Sequence, residues 1–258
     1  MCVMADNIAE RLVKSAERVR DLGEVFTPNA TVQEMLDLLP AEIWAVHPSS
    51  TFLEPSCGDG NFLVAILDRK LRRIAKDCAK AKLPAGSGAD AALFHALEAL
   101  ASIYAVDIST DNIIGGTPGH EIGARMRLLT MFADWSLEVL DKRLTERSLL
   151  LRAASWIVEH NVIVGNMLPL DVDGKPTGRE RIPLIEYSFH PASQSVELSQ
   201  TTMGDVIAAE ERKDPSKLPF GLAEQTPLWR GKAVNLSAAN RVEAPKLRGP
   251  ARNGTGRR

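Results

Sequence analysis

The stretch Thr51-Phe-Leu-Glu-Pro-Ser-Cys-Gly-Asp-Gly-Asn61, followed by Phe62-Leu-Val-Ala-Ile-Leu67, decides the fold. A short apolar strand ends in an acid, small residues and two glycines turn the backbone, and a helix begins at once. Gly58 and Gly60 carry no Cβ, so this turn can bring backbone amides close to a bound small molecule. The phosphate-binding pattern G-x-G-x-x-G would need a third glycine, and the chain has none at that place.

Two flanking segments extend the pattern. Upstream lies Gly23-Glu-Val-Phe-Thr-Pro28, then an apolar run with Val32, Met35, Leu36, Leu38 and Leu39. Pro28 sets φ for a helix start and Thr27 can cap its free amides, so an ordinary helix N-terminus reads the same way. Downstream, Ser102-Ile-Tyr-Ala-Val-Asp107-Ile108 reads as a buried strand ending in an acid. Such an Asp is a common helix cap, and in nucleotide-binding α/β folds it accepts ribose hydroxyl hydrogens. A third strand is readable at Asn161-Val-Ile-Val-Gly165-Asn166.

Glu54-Pro-x-Cys-Gly-x-Gly60 resembles the first motif of S-adenosylmethionine (SAM) dependent methyltransferases, above all the adenine-specific DNA methylases of restriction–modification systems. The order Thr-Pro, glycine loop, strand-end Asp matches that family over about 150 residues, from Asp21 to Leu170. The resemblance implies an α/β fold, a three-layer Rossmann-like sandwich around a mostly parallel sheet, with SAM across the carboxyl ends of the first strands. It implies cofactor contacts from Phe26, Thr27, Pro28, Glu54, Pro55, Cys57, Gly58, Gly60, Asp107, Ile108 and Asn166. Where the family usually has Gly-Asp after its third strand, this chain has Gly165-Asn166. An amide there can still exchange hydrogen bonds with the adenine edge.

The family's Asn/Asp-Pro-Pro-Tyr/Phe motif, which holds the flipped target base, occurs nowhere in the chain. Met167-Leu-Pro-Leu-Asp171 has the wrong order. Ile182-Pro-Leu-Ile-Glu186-Tyr-Ser-Phe189 reads as a fourth strand on which Glu186 could accept from an amino group and Tyr187 could stack; an amphipathic strand explains both as well. The catalytic candidates are therefore Asn166, Glu186 and Tyr187. The expected function is methyl transfer to the adenine amino group of DNA. The alternatives are a catalytically incomplete SAM-binding subunit that needs a companion or specificity subunit, and a methyltransferase acting on RNA or protein.

Composition agrees with a soluble globular protein: 258 residues, 45% hydrophobic and 25% charged. No apolar run approaches the roughly 20 residues of a membrane span, and the N-terminus lacks a signal-peptide pattern. Three cysteines, Cys2, Cys57 and Cys78, leave an odd thiol and form no metal spacing, so a reducing cytoplasm is expected. Nor do the five histidines show ligand spacing, and transfer from a sulfonium needs no metal; none is expected. A net charge of −2 argues against unspecific coating of nucleic acid. Arg69, Lys70, Arg72, Arg73, Lys76, Lys80 and Lys82 nevertheless crowd one helix, as a solvated outer face or a phosphate stripe.

The organisation read from pattern is an N-terminal helical segment with the Thr-Pro motif (1–50), a SAM-binding domain (51–212) and an irregular basic tail (213–258). Helices are expected from Asn7 to Arg20, behind the glycine loop, over 89–101, in two pieces over 121–160 broken near Thr145, and over 203–211. Leu128, Leu129, Phe132, Trp135 and Val139 read as core, and 182–190 with 193–201 as a hairpin.

Overall fold

A computed structural model describes residues 15–22, 24–84, 86, 88–116, 122–213, 229–230 and 234–235. Helices α1 (Ala16–Leu22) and α2 (Asn29–Asp37) precede strand β1 (Phe52–Glu54). Two helices, α3 (Asn61–Ala79) and α4 (Ala89–Ala101), lead to β2 (Ile103–Asp107). Three more, α5 (Thr110–Ile113), α6 (Ala124–Leu140) and α7 (Leu149–Asn161), lead to β3 (Val162–Val164). The chain then makes a hairpin of β4 (Pro183–His190) and β5 (Ser195–Thr202), followed by α8 (Met203–Lys213). Two short strands, β6 (Trp229–Arg230) and β7 (Val234–Asn235), both pair with β5.

β1, β2 and β3 form a parallel sheet in sequence order, with Glu54 opposite Ala105 and Asp107 opposite Val164. The fold is α/β, as expected, but the sheet is small. Its central strand is the most apolar, Ile-Tyr-Ala-Val, and four of its five residues are buried. Helix α3 buries Leu63, Ile66, Leu67, Leu71 and Ile74, the spacing of one helical stripe. Helix α4 is buried from Ala91 to Ala101, as its nearly unbroken Ala/Leu composition requires. Leu63, Leu67, Leu93, Leu97, Leu100, Leu128 and Phe132 meet in one core, each burial contributing about 1.5–3 kcal/mol.

Several expectations are corrected. β4 does not extend the parallel sheet. It pairs antiparallel with β5 over its whole length, from Pro183 opposite Thr202 to His190 opposite Ser195. A tight turn with Gln194 at φ 49° makes this pairing local, so the strand finds its partner next to itself in sequence. Thr27 does not cap α2; Pro28 holds the cap position and no side chain bonds the helix amides. Helix α1 continues past Arg20 to Leu22 with Ser15 Oγ accepting from Arg18 N at 3.2 Å, whereas the expected cap Asn7 lies outside the described residues. Asp111 and Asn112 sit inside α5. Val139 is exposed, while Leu128, Phe132 and Trp135 are core. The stretch after Lys213 is not wholly irregular, since β6 and β7 add to the hairpin sheet; the terminal basic cluster lies outside the described residues.

Four of the seven basic residues on and after α3 have partners within the protein, while Lys76, Lys80 and Lys82 are exposed. Arg69 binds the Gln33 carbonyl at 2.9 Å and pairs with Asp37, Arg72 pairs with Asp68, and Arg73 with Asp77. Lys70 is 2% exposed, and its ammonium donates to Ser49 Oγ, the Ser50 carbonyl and Ser102 Oγ at 2.6–2.8 Å. No described helix is long and apolar enough to cross a membrane.

Candidate functional site

The carboxyl ends of β1 and β2 meet the segment between α1 and α2 in an open cleft. Glu24, Val25, Phe26, Thr27, Ser56, Gly58, Asp107, Ile108 and Ser109 line it. Asp107 ends β2, buried to 6% exposure. Its Oδ2 accepts the Gly58 amide at 2.9 Å; its Oδ1 accepts the Ser109 amide at 2.9 Å and the Asn112 side-chain amide at 3.0 Å. Asn112 Nδ2 also reaches Glu24 Oε2 at 3.2 Å, so one amide ties the two acids of the cleft together. Arg18 grips Glu24 from behind, with Nε 2.9 Å from Oε1, while its other nitrogens reach Asp111 and Ser109 Oγ. The hydrogen bond and charge of Glu24 raise the Arg18 guanidinium further above its already high value.

The opposite wall is held by a second chain of polar contacts. Asn61, at the start of α3, donates to the Thr27 carbonyl at 3.0 Å. Arg127 of α6 donates to Asn61 Oδ1 and to the Asp59 carbonyl, and pairs with the Asp59 carboxylate at 3.0 Å. The position of the Thr-Pro segment against the loop is thus set by α3 and α6 together.

The loop glycines are required by conformation and packing. Gly58 has φ +54°, and a Cβ there would stand 3.0 Å from the Phe26 ring; Gly60 has φ +96°, and its Cβ would stand 3.0 Å from that of Ala124. The space beside Gly58 is filled by Phe26, not left open to a ligand, which corrects the expected reason for that glycine. The loop amides are likewise engaged: Ser56 N donates to Glu54, Cys57 N to the Val106 carbonyl, Gly58 N to Asp107 and Gly60 N to the Cys57 carbonyl. Phosphate would compete with these acceptors and with two carboxylates. The cleft suits a ligand that donates hydroxyl hydrogens and carries positive charge, with Val25 and Ile108 as exposed apolar walls.

Of the cofactor residues expected from sequence, Phe26, Thr27, Gly58, Asp107 and Ile108 line the cleft, whereas Pro28, Glu54, Pro55, Cys57, Gly60 and Asn166 do not. Glu54 sits behind the loop, its carboxyl raised by burial and then by Asp107. Burial, with Asp107 and Glu54, pushes the Cys57 thiol far up. Asn166 follows Gly165, whose amide donates to the Asp107 carbonyl; its own Oδ1 accepts the Leu168 amide.

The other two catalytic candidates are not brought to the cleft. Tyr187 OH donates at 2.9 Å to Asn161 Oδ1, and Asn161 Nδ2 binds the Ala101 and Ile103 carbonyls, at the amino ends of β2 and β3. Its ring meets Trp156 edge-on, and burial raises its hydroxyl well above the usual tyrosine value. Glu186 accepts from Ser199 Oγ across the hairpin and faces Phe52 and Leu53 beside β1. The hairpin docks flat against the sheet, with Tyr104 OH donating to the Ile185 carbonyl at 2.6 Å, and this takes both residues away from the strand tips.

Comparison with protein-family models, curated proteins and solved structures finds no match.

Sequence reasoning missed Glu24, Val25, Ser56 and Ser109 as lining residues, and Arg18, Asn61, Asn112 and Arg127 as their supports. The first four adjoin or interrupt motif residues and could have been included on position alone. Arg18 and Arg127 carry no local signal; only the fold brings them in.

Proposed function

We propose that the chain is the cofactor-binding part of a SAM-dependent methyltransferase with the three-layer Rossmann-like architecture of the adenine-specific DNA methylases. The observation that carries this is the convergence of Glu24 and Asp107 on a cleft whose loop amides are already bonded. Such a site favours a cationic, polyhydroxylated ligand over a phosphorylated one. Asp107 Oδ2 keeps acceptor capacity for a ribose hydroxyl, Glu24 offers a carboxylate to the ammonium or a hydroxyl, and Ile108 provides an apolar surface for the adenine ring. When bound, the cofactor supplies an electrophilic methyl group through its sulfonium. The chain's own residues orient it: Asn112 and Arg18 fix the acids, and Asn61 fixes the Thr27 backbone.

The absence of the Pro-Pro-aromatic motif, together with the positions of Glu186 and Tyr187, favours the incomplete-subunit reading. Capture of an adenine amino group in DNA then falls to a companion. Titration calorimetry with SAM, with EDTA present, tests the cofactor reading. Binding is expected, and Asp107→Ala should weaken it by about 1–3 kcal/mol. No heat at millimolar SAM would overturn it. Tritium transfer to DNA by the chain alone would favour the self-sufficient enzyme instead.

A further inference from the structure

The sequence shows no metal spacing, yet the fold gathers one cluster at the end of the sheet opposite the cleft. His47 lies in the turn before β1; His95 and Glu98 lie three residues apart on one face of α4. One ligand atom from each of the three falls within 4.8 Å of the others. His47 Nδ1 is 2.7 Å from Glu98 Oε1, and His95 Nδ1 is 3.3 Å from Glu98 Oε2. His95 and Glu98 are buried, and His47 is a quarter exposed.

The hydrogen-bond roles leave a place for a cation. His95 Nε2 is 3.3 Å from the Pro84 carbonyl, which can only accept, so the tautomer with its hydrogen on Nε2 satisfies that contact. The lone pair of Nδ1 then faces Glu98 Oε2, also an acceptor. Two acceptors at this distance require a proton or a metal ion between them. An imidazole that donates one N–H to a backbone carbonyl and aims the other nitrogen inward has the usual support of a metal ligand, and the Ser49 amide orients Glu98 from the far side at 3.1 Å. Donor atoms around a tetrahedral zinc stand roughly 3.3 Å apart. The His95–Glu98 Oε2 pair already has that spacing; His47 stands closer, 2.7 Å from the other carboxylate oxygen, Oε1, and must move off it to share an ion.

We propose that His47, His95 and Glu98 bind a divalent transition ion of the zinc class. Two imidazoles and one carboxylate favour zinc, cobalt or nickel over magnesium or calcium. A cleft lined by His47, Glu98, Ser102, Tyr104 and Tyr187 opens beside two of the three ligands and leaves room for a small fourth ligand. The ion would pin the turn before β1 to α4 and so fix the amino end of the strand that carries the glycine loop. Lys70 is the nearby cation, and its ammonium is held by Ser49, the Ser50 carbonyl and Ser102. The site is independent of the SAM reading.

The test is visible absorption of the full chain, stripped with EDTA, during titration with Co²⁺. A saturable tetrahedral-type spectrum is expected, abolished by an equivalent of Zn²⁺ and unaffected by Mg²⁺. His47→Ala, at the most exposed ligand, and the near-isosteric Glu98→Gln should each weaken binding roughly tenfold or more while far-UV circular dichroism stays unchanged. Absence of a saturable spectrum would overturn the site. So would a spectrum equally strong in both variants, which would put the ion elsewhere.

Discussion

Gly58 and Lys70 show what single residues do here. Gly58→Ala puts a side chain at φ +54° and 3.0 Å from the Phe26 ring, so it is strained whether or not a ligand binds. A loss of about 1–2 kcal/mol is expected, read by denaturant unfolding, together with weaker SAM binding because Phe26 forms the cleft wall. Phe26→Leu in the same chain should recover part of the loss but not the share due to φ. Lys70 makes a prediction in pH. Its folded value is about 7 against an ordinary 10.5, because burial disfavours the ammonium. The unfolded chain therefore binds more protons between these values, and the contribution of Lys70 to stability rises with pH across that window and is flat below it. Wild type should gain roughly 1–3 kcal/mol relative to Lys70→Met between neutral and strongly alkaline pH, where the variant lacks this slope. Equal slopes would mean that the ammonium stays charged against its three oxygen acceptors.

At the scale of elements, the hairpin is a docked layer held by two tyrosines. Tyr187→Phe removes the donor to Asn161 Oδ1, leaving a buried amide oxygen unpaired, and should cost about 1–3 kcal/mol. Because Asn161 bridges the starts of β2 and β3, SAM affinity at the carboxyl ends should not change. A variant that unfolds no earlier yet binds SAM poorly would return Tyr187 to the cofactor site. The strands, the helices and the hairpin could be read from sequence because each leaves a local signature: apolar runs ending in Glu54 or Asp107, a helical stripe on α3, a turn at residues 191–194. Which sheet the hairpin joins could not be read, since β4 alternates like any half-buried strand and only the docking of Tyr104 on Ile185 decides it. Half of the cleft was legible for the same reason. Thr27, Gly58 and Asp107 belong to local motifs, while Arg18, Asn112 and Arg127 act over long sequence separations. Lys70 read as one cation in a basic run, and its burial depends on Ser49 and Ser102 arriving from two other segments. The His47–His95–Glu98 cluster was hidden likewise, with two of its residues on α4 and the third in a turn about fifty residues earlier.

In the whole molecule the two ends of one small parallel sheet carry different chemistry. The carboxyl ends hold Glu24 and Asp107; the amino ends hold the histidine cluster, Lys70 and the Tyr187–Asn161 bridge. A ligand at a hundred times its dissociation constant stabilises the fold by about 2.7 kcal/mol, wherever it binds. A melting shift therefore cannot distinguish the ends, whereas hydrogen exchange resolved along the chain can. SAM should slow exchange over residues 24–28, 56–60 and 107–112, because the Asn112 bridge and the Asn61–Thr27 contact make these three segments one mechanical unit. Slowing should also reach the start of α6, where Arg127 binds the Asp59 carbonyl. The Tyr187–Phe189 part of the hairpin should be unchanged, since its contacts with Asn161 and the His47 turn lie at the amino ends of the strands. Zinc should give the complementary pattern, slowing 47–49 and α4 and leaving 24–28 untouched. If SAM instead protected the hairpin as strongly as the loop, Glu186 and Tyr187 would be within reach of the cofactor, and the division of the sheet into two separate sites would be wrong.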